Sequence, residues 1–145
     1  TGVLFRAACE LGALAGGAPI DALGRFGEGI GVAFQLLDDV LDVTGPPERT
    51  GKPRGADLLD GTVTLPLILA RERDPELGSL DMRSIRTPER AAEVCARIAD
   101  TGSLEDTRAR ALELVAGAKA ELPDMPARQR GALELIAEGV VERYS

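Results

Sequence analysis

Three carboxylates crowd the stretch Gln35-Leu36-Leu37-Asp38-Asp39-Val40-Leu41-Asp42, and they are the residues best placed to do chemistry. At about 100° per residue, Gln35, Asp38, Asp39 and Asp42 fall within roughly one quarter of a helix circumference. Val32, Ala33, Leu36, Leu37, Val40 and Leu41 fill much of the remainder. Like charges three or four positions apart repel on a helix, and the penalty grows in apolar surroundings, where unpaired charge is costly to bury. A bound cation removes that penalty. An all-carboxylate donor set favours a hard ion, Mg²⁺ ahead of Zn²⁺ or copper. Mg²⁺ commonly completes its shell with substrate phosphates, and Arg49, Lys52 and Arg54 follow soon after the acids. A cation bridging carboxylate to phosphate, with lysine as a point charge, makes a coherent diphosphate site. Alone, the acids read as a solvated helix face and the bases as a solvated loop. Their conjunction beside an apolar helix favours the site.

The elements that must carry these residues are legible as helices. Val3 to Ala15 has apolar residues at helical spacing and stops at Gly16-Gly17, with Pro19 beyond. A second helix is expected from an N-cap at Asp21 to Val43, long enough to be a central element. Gly24, Gly27 and Gly31 lie on one stripe of it, where a neighbouring helix or a ligand must come close. The segment Thr44 to Gly55, rich in proline and glycine, is a long loop of the kind that forms lids or binding segments. Leu65 to Arg73 is a short helix with Pro66 in its first turn, ended by Pro75. Further helices are expected from Thr87-Pro88 to Gly102, from Ser103 to before Pro123, and after Pro126. No window alternates as a strand does, so the fold class is all-α.

Composition narrows the function. The 145 residues suffice for one domain with a real core, 44% hydrophobic and 28% charged. Only 3% are aromatic, which suits closely packed helices better than a sheet. A formal charge of −7, from 24 acids against 17 bases, argues against nucleic acid as a partner. No apolar run reaches the roughly 18 residues of a membrane span, so a soluble, cytoplasmic protein is expected. The absence of histidine excludes a His base and the usual Cys/His zinc sites. Cys9 and Cys95, among small apolar residues, are expected to be reduced core filler rather than a disulfide. The chain opens on Thr1 and enters a helical pattern at once, which reads as a piece of something longer.

The run Gly31-Val32-Ala33-Phe34-Gln35-Leu36-Leu37-Asp38-Asp39-Val40-Leu41-Asp42 resembles the second aspartate-rich region of the trans-polyprenyl diphosphate synthases, the farnesyl and geranylgeranyl diphosphate synthase family. Gly51-Lys52-Pro53, Gly55-Ala56-Asp57-Leu58 and Thr64-Leu65-Pro66-Leu67-Ile68 continue the resemblance in order, and Thr1-Gly2-Val3-Leu4-Phe5 with Glu10-Leu11-Gly12-Ala13 precedes it. The matches cover about the first half of the chain; the rest is similar only in being helical. The resemblance implies an isoprenoid synthase-type helical bundle, with residues 1–145 a single all-α unit from its C-terminal half. It implies ionisation of an allylic prenyl diphosphate and attack by the double bond of isopentenyl diphosphate. Carried over by position, Asp38 is the main Mg²⁺ ligand, with Asp39 and Asp42 assisting directly or through water. Lys52 holds the allylic diphosphate, and Gln35 and Thr1 face the developing carbocation.

The sequence departs from the family pattern in three respects. The first aspartate-rich region has no counterpart in these 145 residues. The lysine that precedes the family threonine is missing, since the sequence begins at Thr1, and Thr62 stands where a lysine is common. The chain is therefore expected to be inactive alone and to act as a homodimer or with its N-terminal half. A regulatory, diphosphate-binding subunit of the same fold is one alternative. A class I terpene cyclase is the other, disfavoured because that class usually carries an Asn/Ser/Glu-type second metal motif.

Overall fold

Helix α1 spans Gly2–Gly16 and ends where the sequence stops it, the Ala18 N–H returning to the Ala13 carbonyl at 2.9 Å. Helix α2, Ile20–Thr44, follows after a short turn. Asp21 does not cap it from outside, as the sequence suggested. It lies in the first turn, where its charge faces the positive end of the helix. The computed structural model describes residues 1–45, 51 and 53–142. Among these the remaining helices are α3 (Ala56–Leu59), α4 (Leu65–Arg73), α5 (Pro75–Gly78), a 3₁₀ turn at Met82–Ser84, α6 (Pro88–Ala99), α7 (Ser103–Ala120) and α8 (Ala127–Glu142). The described residues contain no strand, and the all-α expectation holds. None of these helices is long and apolar enough to cross a membrane.

The helices form two compact units. Thr1–Leu37 and Ala109–Ser145 make the first, Asp38–Arg108 the second. In the first, α2 buries Leu23, Phe26, Ile30, Ala33 and Leu37, spaced alternately by three and four residues. That spacing keeps one stripe facing inward, toward Ala111, Val115 and Ala118 of α7 and Ala137 and Val140 of α8. The glycine stripe resolves in favour of a neighbouring helix. A Cβ on Gly27 would lie 2.5 Å from the Phe5 carbonyl oxygen and 2.8 Å from Cys9 Sγ, and one on Gly31 would lie 2.8 Å from Gly2 Cα. A Cβ on Gly24 would meet the Glu10 side chain. Small residues here let the α1 and α2 backbones come close. The Arg6 guanidinium ties the pair, donating at 2.8 Å to both Glu10 and Glu28.

In the second unit Val40, Val43, Leu58, Leu67, Ala70, Ile85, Val94, Cys95 and Ile98 form the core. Burying one such aliphatic side chain is worth about 1.5–3 kcal/mol. Helix α4 has the bounds expected for it, but Pro75 does more than end it. It is the first residue of α5, capped by Asp74, whose carboxylate accepts the Glu76 N–H at 2.8 Å and the Leu77 N–H at 3.3 Å. The same carboxylate pairs with Arg97 of α6, which also reaches Glu76. Thr87 caps α6 as its sequence suggested, accepting the Arg90 N–H at 3.3 Å.

Candidate functional site

Residues 38–44 of α2 carry the acidic face into the second unit. Accessibility falls along it: Asp38 is half-buried, Asp39 is 8% exposed and Asp42 only 3%. A helix turns Asp38 and Asp42 to the same side, one turn apart, with Asp39 offset by about 100°. None of the three carboxylates is without a partner. Among the described residues no three Cys, Asp or Glu side chains converge as a ready-made metal cage. The donor set nevertheless fits a hard divalent ion that draws only one or two ligands from protein and the rest from phosphate and water.

Asp42 takes part in a tight return of the chain. Its backbone carbonyl accepts the Gly55 N–H at 2.9 Å, and its Oδ2 accepts the Asp57 N–H at 3.2 Å. Beside it the Arg54 Nε donates to the Val43 carbonyl at 2.5 Å. The sequence had grouped Arg54 with bases facing phosphate; this nitrogen instead satisfies a carbonyl in the last turn of α2. Gly55 sits at φ +75°, and a Cβ there would lie 2.8 Å from Cys95 Sγ and 3.1 Å from Ala91 Cβ. Only glycine fits so closely over α6 in that conformation.

Cys95 is fully buried beneath this turn, and burial pushes its thiol up to about 11, opposed by Arg54 and reinforced by the charges of Asp42 and Asp57. Burial raises Cys9 as well. Both are free thiols, and neither is a ready nucleophile at neutral pH.

In the first unit, the Thr1 hydroxyl donates to the Gln35 side-chain oxygen at 2.7 Å, so two residues 34 positions apart come together. Gln35 is exposed. Lys52, the expected diphosphate ligand, and Arg49 lie outside the described residues. Thr62 is exposed, its N–H donating to the Asp57 carbonyl at 2.8 Å. Asp57 and Gly55 acquire structural parts that sequence reasoning left unassigned. Their partners lie across the long loop, 15 residues back for Asp57, so local spacing carries no signal of the contact.

The polyprenyl synthetase family model matches residues 1–100. The chain belongs to the polyprenyl synthetase family. Among its relatives, geranylgeranyl diphosphate synthase of Methanosarcina mazei is 38% identical over 149 residues, covering 99% of this chain and 45% of the relative. Heptaprenyl diphosphate synthase component 2 of Geobacillus stearothermophilus is 52% identical over 73 residues, covering 48% of this chain and 23% of the relative. The crystal structure of a polyprenyl synthase from Caulobacter crescentus CB15, complexed with calcium and isoprenyl diphosphate, superposes with a TM-score of 0.86 at 38% identity. That match covers 98% of this chain and 46% of the crystallised one. This polyprenyl synthetase chain thus has the all-α isoprenoid synthase fold and spans less than half the length of each of these relatives.

Proposed function

We propose that the chain supplies the second aspartate-rich region of a Mg²⁺-dependent prenyltransferase that condenses an allylic prenyl diphosphate with isopentenyl diphosphate. The observation that carries this reading is the acidic face of α2, with Asp38 as its most accessible carboxylate, in a chain of the polyprenyl synthetase family. Asp38, with Asp39 beside it, would hold Mg²⁺, which when bound neutralises charge on the departing diphosphate. Lys52 binds the allylic diphosphate as a point charge. The allylic C–O bond breaks with its electron pair leaving on diphosphate, the isopentenyl double bond forms the new C–C bond, and the released diphosphate takes up the proton that the resulting cation then loses. The Gln35 oxygen and the Thr1 hydroxyl stabilise positive charge on the allylic carbons. No general base of the histidine kind is required, which accords with a sequence that has none.

The chain works in an assembly, either as a homodimer or with further polypeptide, in the cytoplasm. The relative from Geobacillus stearothermophilus, named as a second component, supports the multi-subunit form. The deciding experiment is Asp38→Ala in the intact enzyme, with prenyl transfer measured across a Mg²⁺ titration. A loss of about 10²-fold or more in kcat/KM with a raised Mg²⁺ requirement is expected. Unchanged turnover rejects the reading.

A further inference from the structure

We propose that Asp42 is a positioning residue, which clamps the Gly55–Asp57 turn onto the end of α2 above Cys95. The assignment rests on the reading of Asp38 as the ion ligand and divides the aspartates by what each does. Asp42 is engaged twice by one short segment, through its carbonyl to the Gly55 N–H at 2.9 Å and through Oδ2 to the Asp57 N–H at 3.2 Å. It is the most buried of the three acids, at 3% exposure against a half-buried Asp38. A carboxylate so placed is expensive to bury without partners, and the Asp57 backbone N–H supplies one, to Oδ2.

The segment it holds has little slack. Gly55 lies at φ +75° with its α-carbon face against Cys95 Sγ and Ala91. Arg54, immediately before, donates to the Val43 carbonyl one residue after Asp42. Both contacts therefore pin residues 54 and 55 against the last turn of α2. Position 42 thus fixes where Gly55 and Asp57 sit, and α2 presents Asp38 from the same helix one turn earlier. The third aspartate acts through the Gly55–Asp57 turn instead of on the ion.

The test uses the intact protein freed of metal with a chelator. Alkylation of Cys95 by iodoacetamide is followed on its own peptide by mass spectrometry, with amide exchange at Asp57 in parallel. Asp42→Ala is expected to speed Cys95 alkylation about tenfold, and Asp42→Asn, which keeps a weaker acceptor oxygen, about threefold. Asp38→Ala should leave the Cys95 rate within about twofold of the parent, because the bonds that hold Gly55 and Asp57 run to Asp42. In a Mg²⁺ titration of prenyl transfer, Asp38→Ala should raise the Mg²⁺ requirement while Asp42→Asn mainly raises KM for the allylic diphosphate. Folded Asp42 variants whose Cys95 is as slow as the parent's overturn the proposal. So does a Mg²⁺ requirement raised as much by Asp42→Asn as by Asp38→Ala. If circular dichroism shows Asp42→Ala unfolded, Asp42→Asn decides by the same two readouts. An Asp38→Ala enzyme with normal turnover and Mg²⁺ requirement defeats the functional reading, and the metal-free Cys95 rate still decides the clamp.

Discussion

A methyl group at Gly27 would stand 2.5 Å from the Phe5 carbonyl oxygen and 2.8 Å from Cys9 Sγ. Ordinary contact begins near 3.4 Å, so the shortfall against the carbonyl is 3.4 − 2.5 = 0.9 Å. The obstructing atom is backbone, and no rotamer change removes it; α1 itself must shift. Overpacking of this sort costs about 1–3 kcal/mol, and the upper part of that range applies where side chains cannot yield. Replacing a helical glycine by alanine returns up to about 1 kcal/mol of helix propensity. Gly27→Ala should therefore lose about 1–2 kcal/mol net, lowering Tm by about 2–8 °C. Gly117, within α7, has nothing within 4 Å of an added Cβ, so Gly117→Ala keeps only the propensity gain and should raise Tm by about 2–4 °C. Thermal melts by circular dichroism, with urea midpoints to check that the m-value is constant, measure both. A Gly27→Ala protein as stable as its parent, or shifts of the same sign in the two variants, would refute close approach as the reason for the glycine.

Two further outcomes follow from the second unit. Gly55→Ala, strained by its positive φ and pressed on Cys95, should cost about 2–4 kcal/mol in urea unfolding. Adding Cys95→Ala should recover the packing share but not the backbone share, so strictly additive effects would contradict the contact. The Arg97 guanidinium, followed by the Glu76 and Leu77 amides, holds Asp74 below the usual carboxylate range against the opposing effect of burial. A carboxylate depressed in the folded state stabilises fully above its unfolded value of about 3.9 and loses that contribution as pH falls through the folded value. Asp74→Asn, which keeps a capping oxygen, should flatten part of the Tm decline between pH 5 and 2; parallel curves for parent and variant would count against this.

Local chemistry explains what the sequence revealed. Pro66 marks the first turn of α4, and Thr87 with Pro88 marks the start of α6, because caps and proline act within a turn of themselves. The acidic spacing put Asp38 and Asp42 on one side of α2 because the helical period alone fixes it. Short-range signals also misled. Asp21 has the chemistry of a cap but lies inside α2, and Pro75, read as a stop, also starts α5. The short helix α3 is too brief to show a period. What was hidden in every case was a long-range partner. The sequence left a neighbouring helix and a ligand open as the cause of the Gly24, Gly27 and Gly31 stripe without saying which helix, and it held no hint that Asp42 would meet Asp57 or that Arg54 would turn back to Val43.

The same stripe bears on how the chain acquires its structure. Four glycines, at 24, 27, 29 and 31, fall within seven residues of one another in α2. Each surrenders more backbone freedom on becoming helical than any other residue does, so this part of α2 is a reluctant helix by itself. The contacts with Gly2, Phe5 and Cys9 that demand Gly27 and Gly31 are also what reward their ordering. Formation of this half of α2 and docking of α1 are thereby tied into one cooperative event. α1 and the first half of α2 fold as a helical pair, and a change that loosens α1 melts the start of α2 with it.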